Sequence, residues 1–295
     1  MTHPRLSMNH ATIKHADFDA ALAAVTAAGY ESYGTWREPV QAIGLAEAAK
    51  RFADSGLRLS THCRGGFVTM PEGEARRAAI ADNLRGIEET ATLAAAGAPG
   101  SRAVFVLVAG GIPAGETGIA DARARFADAL AELAPEAEAA GVTLAIEPLH
   151  PMYASDRAVV STLGQALDLA APFDPAVVGV TLDTFHVWWD PEVLPLVARA
   201  GAEGRIATYQ VCDWKTPLPA DVLLGRHYPG EGVIDFASIT AAVERCGYDG
   251  DVEVEIFNED VWSSPWDEVA ARTATAFDAA VAPYLTATAI PTLVE

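Results

Sequence analysis

Residues 143–153, TLAIEPLHPMY, place two ionisable side chains directly after a short apolar run. Glu147 ends the run and His150 follows three residues later, flanked by prolines that restrict the backbone. Asp183 and His186 repeat this spacing in LDTFH. A carboxylate can ligate a divalent metal ion, and an imidazole, with an ordinary pKa of about 6.5, can accept a proton at neutral pH. The pairing indicates metal-assisted proton transfer at a carbon next to a carbonyl group.

This chemistry needs elements that bring the groups together, and the chain supplies a regular alternation of strands and helices. Apolar or β-branched runs cover residues 6–9, 30–36, 57–62, 103–110, 142–148, 177–183, 206–213 and 251–257, with alanine-rich stretches of helical spacing between them. Such alternation favours a parallel sheet. Eight strand–helix units predict an α/β fold, a (β/α)8 TIM barrel, as a single domain over residues 1–295. A doubly wound sheet ranks second, because no glycine-rich turn follows the first strand.

The barrel fold predicts where the chemically active side chains lie. Active groups stand at the carboxyl ends of the strands, and side chains alternate between the two faces of a strand. The fifth to eighth strands then each present an oxygen ligand at a similar height, from Glu147, Asp183, Gln210 and Glu255. These oxygens suit a hard divalent ion, with Mn²⁺ as the first choice and Mg²⁺ or Co²⁺ as alternatives. Glu253 is expected to point inward one layer below them.

Other candidates are expected around the same mouth. His10 and His62 end the first and third predicted strands, and both are predicted to contact substrate. His186 is predicted to bind substrate as well. Arg226, in the long GRHYPGEG loop after the seventh strand, is predicted to hold a substrate oxygen by a charge-assisted hydrogen bond. From the residue pattern alone, a purely structural role remains the alternative for each of them.

Composition excludes some partners. Lys and Arg number 20 against 40 Asp and Glu, a net charge of −20, whereas nucleic acids and acidic membrane surfaces require clustered positive charge. Three scattered cysteines, Cys63, Cys212 and Cys246, are typical of a reduced protein without a disulfide framework. The N-terminus lacks a signal-peptide pattern, and no apolar run approaches the roughly 20 residues that span a bilayer. We therefore expect a cytoplasmic location and no membrane segment.

Several segments resemble the sugar phosphate isomerase/epimerase superfamily, the xylose isomerase-like TIM barrels. They are IEPLH, VTLDTFH, YQVCDW, GRHYPGEGVIDF and VEVEIF, and the resemblance covers nearly the whole chain. It implies a metal held by Glu147, Asp183, Gln210 and Glu255. Many ketose epimerases of the superfamily have histidine as the third ligand. Gln210 departs from them and is more like the hydroxypyruvate isomerase branch.

The EPLHPMY segment resembles the large subunit of the bacterial C-glycoside deglycosidases. This resemblance implies a carbon–carbon lyase acting on 3-oxo C-glycosides. His150 would remove the C2 proton, the metal would stabilise the enolate, and the aglycone would leave by β-elimination. It also implies a small, separately encoded β subunit and a higher oligomer.

Three hypotheses for the function follow. The first is this lyase, with His150 as the base. The second is a metal-dependent ketose or hydroxy-keto-acid isomerase or epimerase, in which Glu147 and Glu255 themselves move the proton. The third is a non-catalytic sugar-binding or scaffold protein, against which the complete ligand set argues.

Overall fold

A closed barrel of eight parallel strands forms the centre of the molecule in a computed structural model that describes residues 2–285. The barrel strands are β1 (Leu6–Asn9), β2 (Ser32–Trp36), β3 (Arg58–Gly66), β4 (Val104–Val108), β5 (Thr143–Glu147), β6 (Val178–Asp183), β7 (Ile206–Val211) and, after two short strands, β10 (Val252–Val254). Each strand pairs with the next, and β10 closes the ring against β1. The predicted (β/α)8 TIM barrel is confirmed. That the whole chain 1–295 is one domain stays a prediction.

Helices surround the barrel and connect its strands. They are α1 (Phe18–Ala27), α2 (Arg37–Ile43), α3 (Leu45–Ser55), α4 (Glu74–Ala96), α5 (Ile119–Ala140), α6 (Leu163–Ala170), α7 (Thr184–Val187), α8 (Val193–Ala202), α9 (Phe236–Arg245), α10 (Glu259–Trp262) and α11 (Trp266–Ala280). Local signals fix several of their ends. Asp17 accepts the amide of Ala20 as the N-cap of α1, and Gly141 ends α5 with a φ of +66°. Within residues 2–285, none of these helices combines the length and apolarity that crossing a membrane requires. The cytoplasmic location stays a prediction.

The strands are buried on both faces, as is usual in a parallel sheet covered by helices. Every residue of β1, β4 and β6 is buried. Outward side chains such as Phe105 pack under the helices, while the inward layer near the strand ends is polar. Burial of one such phenylalanine stabilises the fold by about 2–3 kcal/mol. The barrel is therefore a rigid support for the polar groups at its carboxyl end.

The third strand corrects one expectation of the sequence analysis. It runs on to Gly66, so His62 lies in the middle of the strand and not at its end. Its ring faces outward, where Nδ1 lies 2.8 Å from the Thr35 hydroxyl and Nε2 lies 3.3 Å from Glu89 Oε2. Gly66 permits the longer strand, since a Cβ atom there would stand 1.7 Å from the Val108 carbonyl oxygen. The structure therefore places His62 within the strand and not at the mouth of the barrel, and its contact with substrate stays a prediction that this position does not support.

The other end of the sheet also differs from the predicted runs. β7 ends at Val211, and the chain then forms a two-stranded antiparallel ribbon of β8 (Asp213–Trp214) and β9 (Arg226–His227). Because β10 is short, Glu255 follows the strand directly. The ribbon brings Arg226 back over the barrel mouth.

Candidate active site

A cavity of about 460 Å³ lies at the carboxyl ends of the barrel strands. A volume of this order is typical of pockets for small molecules. Side chains at or near the ends of six strands contribute to its wall, namely His10, Trp36, Arg64, Val108, Glu147 and Glu255. The cavity therefore occupies the position at which TIM barrels carry their active sites.

Three acidic residues from separate strands form a cluster at the carboxyl end of the barrel, and two of them, Glu147 and Glu255, line the cavity. Glu147 ends β5, Asp183 ends β6 and Glu255 follows β10, and all three are buried. Arg226 joins two of them, because its Nη1 donates to Asp183 Oδ2 at 2.8 Å and to Glu255 Oε2 at 3.0 Å. Glu147, Asp183 and His186 each offer one potential metal-ligand atom, and these atoms lie within 4.8 Å of one another.

Burial and mutual repulsion destabilise the folded protein when all three acidic residues of this cluster are ionised. Burial is the main cause that raises the pKa of Glu147 well above its usual range, and the charges of Glu255 and Asp183 raise it further. Burial raises the pKa of Glu255 to about 8 despite the opposing charge of Arg226. With all three groups ionised, the single guanidinium group of Arg226 leaves two negative charges unbalanced. A divalent cation would balance them.

Gln210 supplies independent evidence that the residues fit a metal ion. It lies beside Asp183 in the register of β6 and β7, and its Nε2 donates to Glu253 Oε1 at 2.8 Å. Glu253 also accepts from Asn9 at 2.6 Å and from Thr61. Since the amide nitrogen is committed to this carboxylate, the amide oxygen points away from it. That oxygen is buried and has no hydrogen-bond partner among residues 2–285. A buried, unpaired acceptor next to acidic groups is suited to ligate a cation.

Arg226 and His186 form a second layer around the acidic cluster. The Arg226 guanidinium carbon lies 4.8 Å from the ring centroid of Phe185 and 5.1 Å from that of Phe257, so two rings restrict it. Its Nη2 lies 2.9 Å from His186 Nε2, which is 3.8 Å from Glu147 Oε1. Burial, followed by the charge of Arg226, lowers the pKa of His186 well below its usual range, so the ring is neutral. Both side chains line the cavity, and their substrate-binding roles stay predictions.

His150 is not among the residues that line the cavity. Its ring packs on Trp214 and Trp189, with centroid distances of 5.0 and 5.4 Å. Its Nδ1 accepts the amide of Met152 at 3.2 Å and so caps the following 3-10 turn. Only the backbone amide of His150 reaches the site, where it donates to His186 Nδ1 at 3.1 Å. The base role of His150 stays a prediction that this placement does not support.

The two remaining histidines predicted to contact substrate lie in different surroundings. His10 lines the cavity, and its Nδ1 lies 2.5 Å from the Tyr33 hydroxyl. Burial lowers the pKa of His10 to about 4, so the ring is neutral at neutral pH. His62 lies on the outer side of β3, away from the cavity.

The cavity wall also contains residues that the sequence analysis did not single out. Arg64, Phe67 and Arg157 line it, together with Trp36. Arg64 faces the cavity because the pairing of β3 with β4 shifts register between His62 and Gly65. An irregularity of this kind has no reliable signature in a single sequence, although the aromatic residue after two glycines in CRGGF marks an unusual strand end.

Comparison with known proteins identifies the family. The family described as "Xylose isomerase-like TIM barrel" matches residues 22–279. The chain belongs to this family. Among curated relatives, L-ribulose 3-epimerase of Mesorhizobium japonicum is 27% identical over 256 residues, which cover 85% of this chain and 79% of that protein. The 3-dehydroshikimate dehydratase of Pseudomonas aeruginosa is 36% identical over 150 residues, 48% of this chain and 22% of that protein.

Two solved structures are similar to this protein over nearly its whole length. Protein SMc04130 from Sinorhizobium meliloti 1021 is 43% identical, has a TM-score of 0.88, and the match covers 94% of this chain and 98% of that one. The IOLI protein, solved with a bound zinc atom, has a TM-score of 0.81 at 21% identity, over 96% of this chain and 99% of that one. At this lower identity the likeness concerns the fold alone.

Proposed function

We propose that this protein is a divalent-metal-dependent isomerase or epimerase of a polyhydroxylated ketone, either a ketose or a hydroxy keto acid. The observation that carries the proposal is the set of oxygen ligands at consecutive strand ends, in which the Gln210 amide oxygen lacks a partner. Glu147, Asp183, Gln210 and Glu255 would hold the metal, with Mn²⁺ as the first choice and Mg²⁺ or Co²⁺ as alternatives. When bound, the metal would supply a Lewis acid that polarises the substrate carbonyl.

The proton transfer is assigned to Glu147 and Glu255. Glu147 would remove the proton from the carbon next to the carbonyl, and Glu255 would return one. Their strands, β5 and β10, are separated by β6 and β7 around the barrel, so the two carboxylates approach the cavity from different sides. Return of the proton to the same carbon from the opposite side gives an epimer. Its return to the former carbonyl carbon, with the proton of the neighbouring hydroxyl group moving to the carbonyl oxygen, gives an isomer.

Arg226 and His186 would orient the substrate. Arg226 is held between two aromatic rings, so its donors are already in place before substrate binds. It would donate to a substrate carbonyl or hydroxyl oxygen beside the acidic cluster. The neutral His186 ring, whose Nδ1 accepts the His150 amide, would donate a second hydrogen bond to the substrate from Nε2, in place of its contact with Arg226 Nη2. Neither role requires the ring of His150.

The epimerase relative supports this reading over the lyase that the sequence analysis ranked first. The L-ribulose 3-epimerase match covers most of both chains, whereas the dehydratase match covers a minor part of that protein. The lyase hypothesis gave the base role to His150, and that ring lies against tryptophans outside the cavity wall.

Cleavage of 3-oxo C-glycosides is the second candidate, and the aromatic wall of the cavity favours it. Trp36, Phe67 and Phe257 would accept an aromatic aglycone. The first step would again remove the C2 proton, with Glu147 as the base. The C–C bond would then break, and the aglycone would leave carrying a proton. This candidate keeps the proposal of a small β subunit and a hetero-oligomer.

Product analysis by NMR in D₂O distinguishes the candidates. The Mn²⁺-loaded protein is incubated with a panel of ketoses and keto acids and, separately, with a 3-oxo C-glucoside. We expect deuterium to enter a ketone substrate next to its carbonyl carbon. Aglycone release without such exchange would replace the proposal by the lyase. Neither reaction, together with absence of bound divalent metal, would favour the non-catalytic hypothesis.

A further inference from the structure

Arg64 is a cation in the cavity wall without an ionic partner in the part of the chain that the structure describes. No carboxylate oxygen of residues 2–285 lies within 4.0 Å of its guanidinium group. The other arginine deep in the cavity, Arg226, has two such partners. Glu38 and Glu147 act on Arg64 only at longer range. Burial lowers the pKa of Arg64, and the charges of Glu38 and Glu147 oppose this shift only in part.

Aromatic contacts hold Arg64 in place without neutralising it. Its guanidinium carbon lies 4.4 Å from the ring centroid of Phe67 and 5.9 Å from that of Trp36. Phe67 has a φ of +55°, a left-handed conformation that is costly for a bulky residue and is found mainly where a site requires it. The donors of Arg64 are thus fixed in a half-buried position beside the cavity.

A second arginine faces the same space. Arg157 lines the cavity, and its charge contributes to the lowered pKa of Arg64, so the two guanidinium groups are close enough to repel each other. Its own ion pair, with the exposed Asp156, is long at 3.9 Å. The chain has a net charge of −20, yet two positive charges lie beside this one cavity. An anion bound between them would offset their repulsion.

Arg64 lines the same cavity as Glu147 and Glu255 of the acidic cluster. Its charge contributes to the pKa values of both Glu147 and Glu255, yet it forms no ion pair with either. The same wall contains the apolar residues Val106, Val108 and Leu149. One ligand in this cavity would therefore place a reactive carbonyl beside the acidic cluster and an anionic group beside Arg64.

We propose that the substrate bears a carboxylate, held by Arg64 with the help of Arg157, so that the protein acts on a hydroxy keto acid in preference to a neutral ketose. The inference rests on the proposed function. That function leaves two substrate classes open, ketoses and hydroxy keto acids, and the inference selects the second. A carboxylate matches the planar fork of a guanidinium group in bidentate geometry. A phosphate group also offers anionic oxygens to a guanidinium group and is therefore the alternative ligand. It would bring more negative charge than a carboxylate into a cavity with apolar walls.

The test compares matched substrates that differ at one end. The Mn²⁺-loaded protein is given ketohexoses, the ketohexuronates that carry a C6 carboxylate, and the ketohexose 6-phosphates, and kcat/KM for deuterium entry is measured by NMR. We expect the best uronate to exceed the matching neutral ketose by about tenfold or more, the usual worth of a hydrogen bond to a charged group. Arg64→Gln should lower that ratio about tenfold, and Arg64→Lys should restore part of it.

Two controls show whether an effect of Arg64→Gln comes from lost carboxylate binding, from unfolding of the protein or from the loss of a positive charge alone. Arg77→Gln removes an arginine from the exposed side of α4 and should leave the ratio unchanged. Thermal unfolding of each variant shows whether Arg64 is needed for the fold. If Arg64 only offsets the charge of the acidic cluster, Arg64→Gln changes both substrates equally and the inference fails. A preference for the phosphate that depends on Arg64 would also overturn it.

The inference and the proposed function fail in different ways. If a neutral ketose exchanges deuterium and Arg64→Gln leaves the ratio unchanged, the isomerase stands and the carboxylate site does not. If no compound exchanges deuterium, calorimetric titration of the Mn²⁺-loaded protein with a ketohexuronate still tests Arg64. At least tenfold weaker binding by Arg64→Gln would keep the carboxylate site while refuting the isomerase, and equal binding would refute both.

Discussion

At the scale of single residues, Glu253 determines the direction in which Gln210 points. Its carboxylate is fully buried below the acidic cluster and accepts hydrogen bonds from Asn9, Ser60, Thr61 and Gln210. Because these donors fill its oxygens, Glu253 is not available as a ligand. Its effect is to hold the Gln210 amide with the oxygen directed away and unpaired. Glu253 is thus a positioning residue, of the kind that typically orients metal ligands.

The substitution Glu253→Gln tests this role. A glutamine there can donate to the Gln210 oxygen and turn the amide over, so we expect the affinity for Mn²⁺ to fall about 10–100-fold. Isothermal titration calorimetry with the metal-free protein measures the affinity. The same substitution at the buried Glu89, which pairs with Arg37 outside the cavity, is the matched control and should leave the affinity unchanged. Unchanged affinity in Glu253→Gln would remove Glu253 from the account.

Residue identities could be predicted from the sequence where simple geometry decides them. Side-chain alternation and the barrel rule place Glu147, Asp183, Gln210 and Glu255 at neighbouring strand ends. The orientation of the Gln210 amide could not be predicted, because it depends on contacts from three other strands. The position of the His150 ring could not be predicted either, since its packing on Trp214 joins residues that are far apart in sequence.

At the scale of elements, the polar layer in the barrel requires a glycine on β2. A Cβ atom at Gly34 would lie 2.2 Å from Glu253 Oε2, and this carboxylate is already fixed by its hydrogen bonds. Gly34→Ala should therefore destabilise the protein by about 1–3 kcal/mol through overpacking. Denaturant unfolding measures the loss.

The control for this substitution is Gly164→Ala, within α6. There the new methyl group would meet the end of the Leu196 side chain at 3.3 Å and the Thr162 hydroxyl at 3.9 Å, and alanine favours a helix. We expect little change or slight stabilisation. Equal unfolding free energies for the two variants would contradict the role of Gly34.

His10, at the end of β1, makes the stability depend on pH. Its folded-state pKa of about 4 lies below the unfolded value of about 6.5, so its neutral form is the one that folding favours. The contribution of His10 to the free energy of unfolding is present above about pH 6.5 and is lost as the pH falls towards 4. About 2 kcal/mol of it is lost between pH 7 and pH 5. In His10→Gln the fall in unfolding free energy over this range should be smaller by that amount.

Denaturant unfolding at both pH values measures this difference, and groups that titrate equally in both proteins cancel. If His10→Gln and the wild type lose the same free energy, the assignment to His10 is wrong.

The positions of the strands could be predicted from the sequence, but their lengths could not. All eight predicted strands exist, because short β-branched runs between amphipathic stretches have few other arrangements. The extension of β3 beyond His62 depends on Gly65 and Gly66 approaching β4, a tertiary contact. That extension moved His62 out of the site and brought Arg64 into it.

At the scale of the whole molecule, the acidic cluster links metal binding to stability. Without a cation, folding must bury three carboxylates that repel one another near the barrel mouth. Saturating Mn²⁺ should therefore raise the melting temperature, since a ligand at 100 times its Kd stabilises the folded state by about 2.7 kcal/mol. A chelator should reverse the shift. Differential scanning calorimetry of the wild type and of Asp183→Asn provides the comparison, and an equal shift in both proteins would argue against this site.

The central claim is that the acidic cluster, and not His150, moves the proton, and one measurement tests it most directly. The rate of deuterium entry into the best ketone substrate is followed by NMR for the wild type, Glu147→Gln and His150→Ala, each with its Mn²⁺ content determined. We expect Glu147→Gln to lose about 10²–10⁴-fold, the usual contribution of a general base. His150→Ala should stay within about tenfold of the wild type, a loss well below that of a general base. Abolished exchange in metal-loaded His150→Ala, with exchange retained in Glu147→Gln, would contradict the account.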